Sequence, residues 1–317
     1  MRIRDFLRYM VWTAIFFQPG TGITAVPSLQ NANVTQVSER VYVLVGDMDV
    51  PNEKNGGFIC NSVFIITDTG VVVVDPGGSL QIGRLIISEI KKRTSKPVTH
   101  VFNTHHHADH WMGNHAFAEL PEKPQILGHD VMRQTASEIG ERWLEIIGQL
   151  TNNANQGTKV VLPETLLSGD ETLSIGGLSF VLSHPAYAHT QGDIVLYVPE
   201  ERLLLTGDVL FYQRTPGFQD ASPLGNLRAL ESLQRFDAAA VVPGHGPVTD
   251  ASGIVWMIDY IKLLQSQVQQ YFAAGLQDYE MKDKIDVGHY RHMSGFAERF
   301  GINVNRMYLE VESLAFE

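Results

Sequence analysis

Cysteine is nearly absent: Cys60 is the only one in 317 residues, so no intrachain disulfide and no zinc cage built from several thiolates can form. Basic residues are also scarce, 24 Lys and Arg against 35 Asp and Glu, a formal net charge of −11. No basic footprint marks nucleic acid as a partner. Long apolar runs are missing too; the run from Tyr9 to Phe17 is too short to span a bilayer comfortably. No internal repeat or low-complexity segment interrupts the chain. What remains, 44% hydrophobic and 19% charged residues, is the composition of a globular protein large enough to bury a substantial core.

The chain opens with Arg2, Arg4 and Arg8 around the start of that apolar run, followed by Pro19-Gly20 and small residues up to Ala25. A charged head, short apolar middle and small-residue end are the parts of an export signal. Residues 1–25 are therefore read as a signal peptide and the protein as periplasmic or secreted. An uncleaved anchor and a plain amphipathic start are the competing readings, since Asp5 and Ile23 depart from the pattern.

Between residues 26 and 250 strand-like and helix-like stretches alternate. Val41–Val45, Phe58–Thr67, Val71–Val74 and Val98–Asn103 read as strands, as do Leu178–Leu182, Ile194–Val198, Arg202–Thr206 and Ala239–Val242. Val71–Val74 is wholly β-branched, which suits a strand buried on both faces. Helical periodicity covers Leu80–Lys92, Trp111–Glu119, Val131–Leu150 and Leu224–Arg235. Because the βαβ spacing is irregular, a layered α/β architecture is expected in place of a barrel. Residues 251–317 read as a helical extension packed on this domain. Ile254–Ala273 forms one long amphipathic helix stopped by Gly275, and Ser294–Phe316 forms a second with a break near Gly301.

Chemistry concentrates where strands end. Thr104-His105-His106-His107-Ala108-Asp109-His110 follows Val98–Asn103; alternate residues of an extended loop leave on one side, so His105 and His107 converge on one ion. Asp109 and His110 are offset towards a second. Imidazole and carboxylate are the ligands that suit zinc where thiolates are absent, and they also bind iron and manganese. Three later segments repeat the pattern: His189 before the strand at Ile194, Asp208 after Leu203–Leu205, and His245 between two glycines after Val241-Val242. Singly, such residues are more often structural; four segments at strand ends, where open α/β sheets bind ligands, point to one site.

Together these residues resemble the metallo-β-lactamase-fold hydrolases, marked by His-x-His-x-Asp-His followed by distant His, Asp and His. The likeness covers about residues 36–250 and implies a four-layer αββα sandwich with the metal site at one edge. It implies that His105, His107 and His189 hold a first zinc ion, that Asp109, His110 and His245 hold a second, and that Asp208 bridges them. Asp75, after its β-branched strand, matches an early aspartate that supports the site without binding metal. Two ions sharing a water lower its pKa towards about 7, so the expected activity is a dinuclear zinc hydrolase acting on a small ester or thioester through a metal-bridging hydroxide. Asp109 is expected to orient that hydroxide; no separate general acid is evident. An aspartate at 208, where the β-lactam-hydrolysing subclasses carry cysteine or serine, is similar instead to thioesterases of the glyoxalase II kind. Gly113-Asn114 and Asn303-Val304-Asn305-Arg306 resemble marks of exported hydrolases tied to sulfur oxidation and the quinoprotein relay group. A β-lactamase, an iron-dependent oxygen-using enzyme on the same ligands, and a non-catalytic metal-binding module are the alternatives. His106 is expected to point away, His115 to lie at the surface, His289 and His292 in surface loops, and Cys60 in an apolar strand as a small buried hydrophobe. Gln213–Pro223, with Phe211, Tyr212 and Phe218, and Gly46–Gly57 are the expected pocket walls.

Overall fold

The computed structural model describes residues 33–316; the segment read as an export signal lies outside them. Two sheets face each other. The first has seven strands in chain order: β1 (Val34–Gln36), β2 (Val41–Leu44), β3 (Ser62–Ile66), β4 (Val71–Val74), β5 (Val98–Asn103), β6 (Gln125–His129) and β7 (Thr165–Leu167). β1 to β4 pair antiparallel, and β4 to β7 pair parallel. The second runs in reverse order: β12 (Ala240–Val242), β11 (Leu203–Leu205), β10 (Val195–Val198), β9 (Leu178–Ser183) and β8 (Thr172–Ile175).

Strand periodicity explains the layering. In β4, Val72 and Val74 enter the core between the sheets with Val63, Ile65, Phe102, Phe180, Leu196 and Leu205, while Val71 and Val73 pack the other way under helix α1 (Leu80–Lys91). All four valines are at most 3% exposed, the two-sided burial expected of this β-branched run. Phe102 and Phe180 stack across the sheets with centroids 5.9 Å apart. The short helices α2 (Ala108–Trp111) and α3 (Asn114–Ala118) and the long α4 (Asp130–Leu150) follow strands of the first sheet. On the outer face of the second sheet, Val195, Leu204 and Val241 meet α5 (Pro223–Leu233), α6 (Ala251–Ala273) and α8 (Phe296–Ala315), with the short α7 (Asp278–Met281) nearby. The result is the αββα sandwich.

Several elements differ from expectation. Residues 58–61 are a buried loop, and the strand begins only at Ser62, so Cys60 is buried in a turn and not in a strand. The expected helix at 111–119 is split into α2 and α3 at Gly113, whose N–H donates to the Gly77 carbonyl at 2.7 Å and where a Cβ would fall 2.7 Å from the Pro76 carbonyl carbon. α8 runs unbroken through Gly301. Strands β1, β6, β7 and β8 carried no readable signal; three of them have only three or four residues. Among the described residues no helix is long and apolar enough to cross a membrane.

Candidate metal centre

Strand ends position the site. β4 delivers Asp75, β5 runs into residues 104–110, β11 ends one residue before the turn Gly207–Val209, and β12 ends at Pro243-Gly244-His245. The loop between β9 and β10 brings His189; Asp193 shapes it by accepting from the backbone N–H groups of His189 (2.7 Å) and Thr190 (2.8 Å) and from the Thr190 hydroxyl (2.6 Å). All seven residues read as metal ligands converge. His105, His107, His189 and Asp208 form one group whose donor atoms lie within 4.8 Å of one another, and His110, Asp208 and His245 form another, so Asp208 belongs to both. Asp109 adjoins the second, with Oδ2 3.5 Å from His110 Nε2 and 3.3 Å from His245 Nε2.

The orientation of the imidazoles is set from behind. His110 Nδ1 donates to Asp75 Oδ2 at 2.8 Å. The same oxygen accepts from the Thr104 hydroxyl at 2.8 Å, and that hydroxyl, its own proton committed, accepts from His105 Nδ1 at 3.0 Å. Asp75 thereby fixes two tautomers at once. His245 Nδ1 donates to the Ile59 carbonyl at 2.7 Å, and His107 Nε2 donates to Asp220 Oδ2 at 3.0 Å. With a cation bound, each of these far nitrogens keeps its proton and each near nitrogen is the one free to turn a lone pair to the ion.

The near atoms are crowded. His107 Nδ1 faces His189 Nε2 at 2.9 Å, and Asp208 Oδ2 lies 3.2 Å from His189 Nε2, 3.3 Å from His245 Nε2 and 3.7 Å from His105 Nε2. Asp208 Oδ1 lies 3.2 Å from His110 Nε2. His105 Nε2, His110 Nε2 and Asp208 Oδ1 are buried and have no hydrogen-bond partner among the described residues. An orphaned buried polar atom costs roughly 1–3 kcal/mol, so three in one place need a shared partner. A tetrahedral ion with bonds of about 2.0–2.1 Å separates its ligand atoms by about 3.3 Å, in the middle of the spacings seen here. The residues fit a cation.

Electrostatics agree. Burial holds the His105 imidazole well below its ordinary pKa, and burial pulls His245 down to about 4 against the attraction of Asp208. Burial would raise Asp208, but His245, His110 and His189 outweigh it and keep the carboxylate ionised. Burial opposes the charge of His107 as well, but Asp220, hydrogen-bonded to it, together with Asp208 and Asp109 raises it above the ordinary imidazole value. His110 departs further. Burial opposes its charge, yet Asp208, Asp109 and Asp75 raise it well above the imidazole range, which leaves a cationic position among three carboxylates. A bound metal ion would take that charge over.

The structure corrects several side readings. His106 belongs to neither ligand group but is buried, 9% exposed, with its ring edge-on to His107 at 4.8 Å and its donor atom near those of His107 and Asp220. His115 is buried, accepting the Lys159 backbone N–H at 3.1 Å, because α3 folds against residues 158–161. His289 and His292 are exposed in the turn Gly288–His292, as expected. Cys60 Sγ donates to the Asp109 carbonyl at 2.8 Å, and burial pushes its thiol pKa up. Of the expected walls, Phe211 and Phe218 both belong to the core beneath the helices, and Phe211 also stacks on His245 at 5.1 Å and tilts on His189 at 5.6 Å. Trp143 of α4 stands edge-on to His107 at 6.2 Å and had no motif to mark it. Arg214, fully buried, lies against His245 Nδ1 and donates to the Asp49 carbonyl at 3.0 Å, joining the two expected walls behind the site.

A family profile described as the metallo-beta-lactamase superfamily matches residues 55–245, more than half of the chain and the whole of this constellation. The chain belongs to the metallo-beta-lactamase superfamily. Within the curated proteins it is 35% identical over 188 residues to a 2,4-dinitroanisole O-demethylase subunit alpha from Nocardioides sp. (strain JS1661), covering 56% of this chain and 50% of that one. It is 23% identical over 264 residues to a linear primary-alkylsulfatase from Pseudomonas sp. (strain ATCC 19151), covering 72% and 49%. The chain thus spans about half the length of these two relatives. Among solved structures, a metallo-beta-lactamase from Pontibacter korlensis superposes with a TM-score of 0.59 at 21% identity, over 73% of this chain and 99% of that one. The sec-alkylsulfatase Pisa1 from Pseudomonas sp. superposes with a TM-score of 0.70 at 16% identity, over 90% and 52%. At those identities the superpositions show the metallo-beta-lactamase fold alone.

Proposed function

We propose that this metallo-beta-lactamase superfamily protein is a dinuclear zinc hydrolase of small ester or thioester substrates. The observation that carries the reading is the pinning of four imidazoles from behind, by Asp75, Thr104, Asp220 and the Ile59 carbonyl, so that their opposite nitrogens converge around Asp208. His105, His107 and His189 would hold one ion, Asp109, His110 and His245 the other, with Asp208 shared. When bound, such ions supply an acidified water at neutral pH and positive charge for the oxygen of the substrate's carbonyl.

The chain's own groups supply the rest. Asp109 is the most exposed of the seven, 16% against 8% or less for the others, so its carboxylate is where an incoming water first finds an acceptor. Buried Phe211, against His189 and His245, closes the floor of the site to solvent on that side. Asp75 and Asp220 keep the ligand tautomers fixed, so no reorganisation accompanies the reaction.

The test pairs metal analysis with turnover. Purified protein and its His105→Ala variant are loaded with zinc and assayed on a panel of carboxylic esters, thioesters, nitrocefin, an alkyl sulfate and an aryl methyl ether. The last two are included because the relatives are named for such substrates. Two zinc equivalents and ester or thioester turnover in the parent, both lost in the variant, support the reading. Equal rates in both proteins refute it, and turnover confined to another member of the panel moves the substrate class there. The amino-terminal pattern of residues 1–25 adds export to the proposal, which the mass of the mature chain tests.

A further inference from the structure

The motif Asn303-Val304-Asn305-Arg306 lies beyond the residues that the family profile matches, on a helix carrying no ligand of the cluster. Its contacts are nevertheless directed at one segment. Asn303 Nδ2 donates to the Pro216 carbonyl at 3.1 Å, and Asn303 Oδ1 accepts from the Phe218 N–H at 3.4 Å. Arg306 Nη2 donates to the Ala221 carbonyl at 2.7 Å and to the Tyr187 hydroxyl at 3.3 Å. Glu310 accepts from the Leu224 N–H at 2.9 Å. Residues 303, 306 and 310 are spaced by three and four, so one face of α8 grips residues 216–224 at four points. Asn303 is 0% exposed, and its second donor contact, to the Tyr260 hydroxyl at 3.2 Å, ties the grip to α6.

The gripped segment carries Asp220. Its backbone carbonyl accepts from the Tyr187 hydroxyl at 2.9 Å, and its side chain accepts from His107 Nε2 at 3.0 Å. His107 is the imidazole of the cluster that meets its neighbours through Nδ1 and not Nε2, so its orientation needs an acceptor on the opposite side from that of His105 or His110. Asp220 is that acceptor. Its contact spans 113 positions in sequence, and the α8 face holds it there.

We infer that Asp220 is a positioning residue of the metal centre and that α8, through Asn303, Arg306 and Glu310, is the clamp that keeps it in register with His107. A carboxylate behind a ligating imidazole fixes its tautomer and strengthens it as a ligand, an effect of about 10- to 100-fold in metal affinity. The inference rests on the proposed cation binding by the cluster, and the experiment separates the two.

Zinc affinity of the full chain is measured by competition with a chromophoric chelator for the parent, Asp220→Asn, Arg306→Met, Arg306→Lys and His105→Ala. The visible spectrum of the cobalt-loaded proteins and the melting temperature of the metal-free proteins are recorded alongside. Asp220→Asn keeps the shape of a side chain that is one-third exposed, so the metal-free fold should melt as the parent does. Its affinity for one zinc equivalent should fall by about 10- to 100-fold, with an altered cobalt spectrum. Arg306→Met should shift affinity in the same direction, and Arg306→Lys, which still donates to the Ala221 carbonyl, should restore most of it. If Asp220→Asn binds both equivalents like the parent while His105→Ala loses them, the positioning role is wrong and the metal centre stands. If Asp220→Asn weakens binding but Arg306→Met does not, the clamp is wrong. If the parent binds no cation, both readings fall together.

Discussion

Asp75 gives the sharpest test of how the cluster is organised. It is 2% exposed and accepts three hydrogen bonds, from the Thr104 N–H and hydroxyl and from His110 Nδ1, all at 2.8 Å. Its φ of 55° lies in the left-handed region, which asparagine tolerates and alanine does not. Asp75→Ala removes a buried acceptor and strains the turn, a loss of about 3–5 kcal/mol. For a domain of this size that lowers the melting temperature by about 6–20 °C. Asp75→Asn behaves differently. Its single oxygen must stay on the Thr104 N–H, because that donor cannot change, so the amide NH2 faces His110 Nδ1. His110 then carries its proton on Nε2, the atom aimed at Asp208. Returning it to the ligating tautomer sets two donors against each other, about 1–3 kcal/mol, or about a 5- to 150-fold weaker ion on that side. Chelator competition reads the affinity and calorimetry of the metal-free protein reads the stability. Asparagine binding both equivalents like the parent, or alanine melting within about 2 °C of it, would show that Asp75 does not set these tautomers.

Three further outcomes follow from other parts of the structure. Gly244→Ala should abolish cation binding at Asp208: a Cβ there would meet the Asp208 side chain and lie 2.7 Å from the Gly207 carbonyl carbon, and the metal content of the purified variant checks it. Chelation should lower the melting temperature of the zinc-loaded protein. At a free zinc concentration 100 times its Kd the linkage is about 2.7 kcal/mol, or about 5–11 °C, and an unchanged melt would contradict a bound cation. Glu89 supplies a pH signature away from the site. Burial raises its carboxyl, but hydrogen bonds from Lys92 (2.5 Å) and Arg93 (2.8 Å) outweigh this and hold the folded pKa below the ordinary glutamate value. The ionised form therefore contributes stability above pH ~4.5 that is lost as pH falls through the depressed value. Urea unfolding of Glu89→Gln should show a deficit of about 1 kcal/mol at pH 7 that closes as pH falls through the depressed pKa.

Much of this is legible in the sequence, for a physical reason. A ligand that must meet others from distant segments is carried most rigidly at a strand end, and strand ends in a buried sheet are marked by apolar runs that stop abruptly. Val71–Val74 before Asp75, Leu203–Leu205 before Asp208 and Val241-Val242 before His245 all have that form, and the sheets bring them to one edge. Short edge strands carry no such mark. β7 and β8 have three and four residues, most of them exposed or partly so, and a pattern with a period of two cannot be read from so few. Cys60 looked like a strand residue because Phe58, Ile59 and Cys60 are as apolar as a strand. They are buried as a loop under the site, where the Ile59 carbonyl is needed by His245.

The groups that orient the ligands were harder to see than the ligands, and the difference has a cause. Ligation asks for particular side chains, so it leaves a trace in residue type and spacing. Orientation asks only for an acceptor at the right point, and a carbonyl, a hydroxyl or a carboxylate will serve: Ile59, Thr104 and Asp220 each do so. Thr104 and Asp75 could be suspected from adjacency to the histidine cluster, but Asp220 lies in a segment without regular structure whose place depends on a helix more than 80 residues later. In sequence that helix reads only as an extension packed on the domain, because its apolar face, Phe300, Val304, Met307 and Val311, accounts for its packing. Its polar face at 303, 306 and 310 had no visible partner until residues 216–224 were seen lying along it. A helix that packs through one stripe and grips a ligand-orienting loop through another makes metal affinity depend on residues outside the segment that the family profile covers. The response of zinc binding to Arg306→Met measures that dependence.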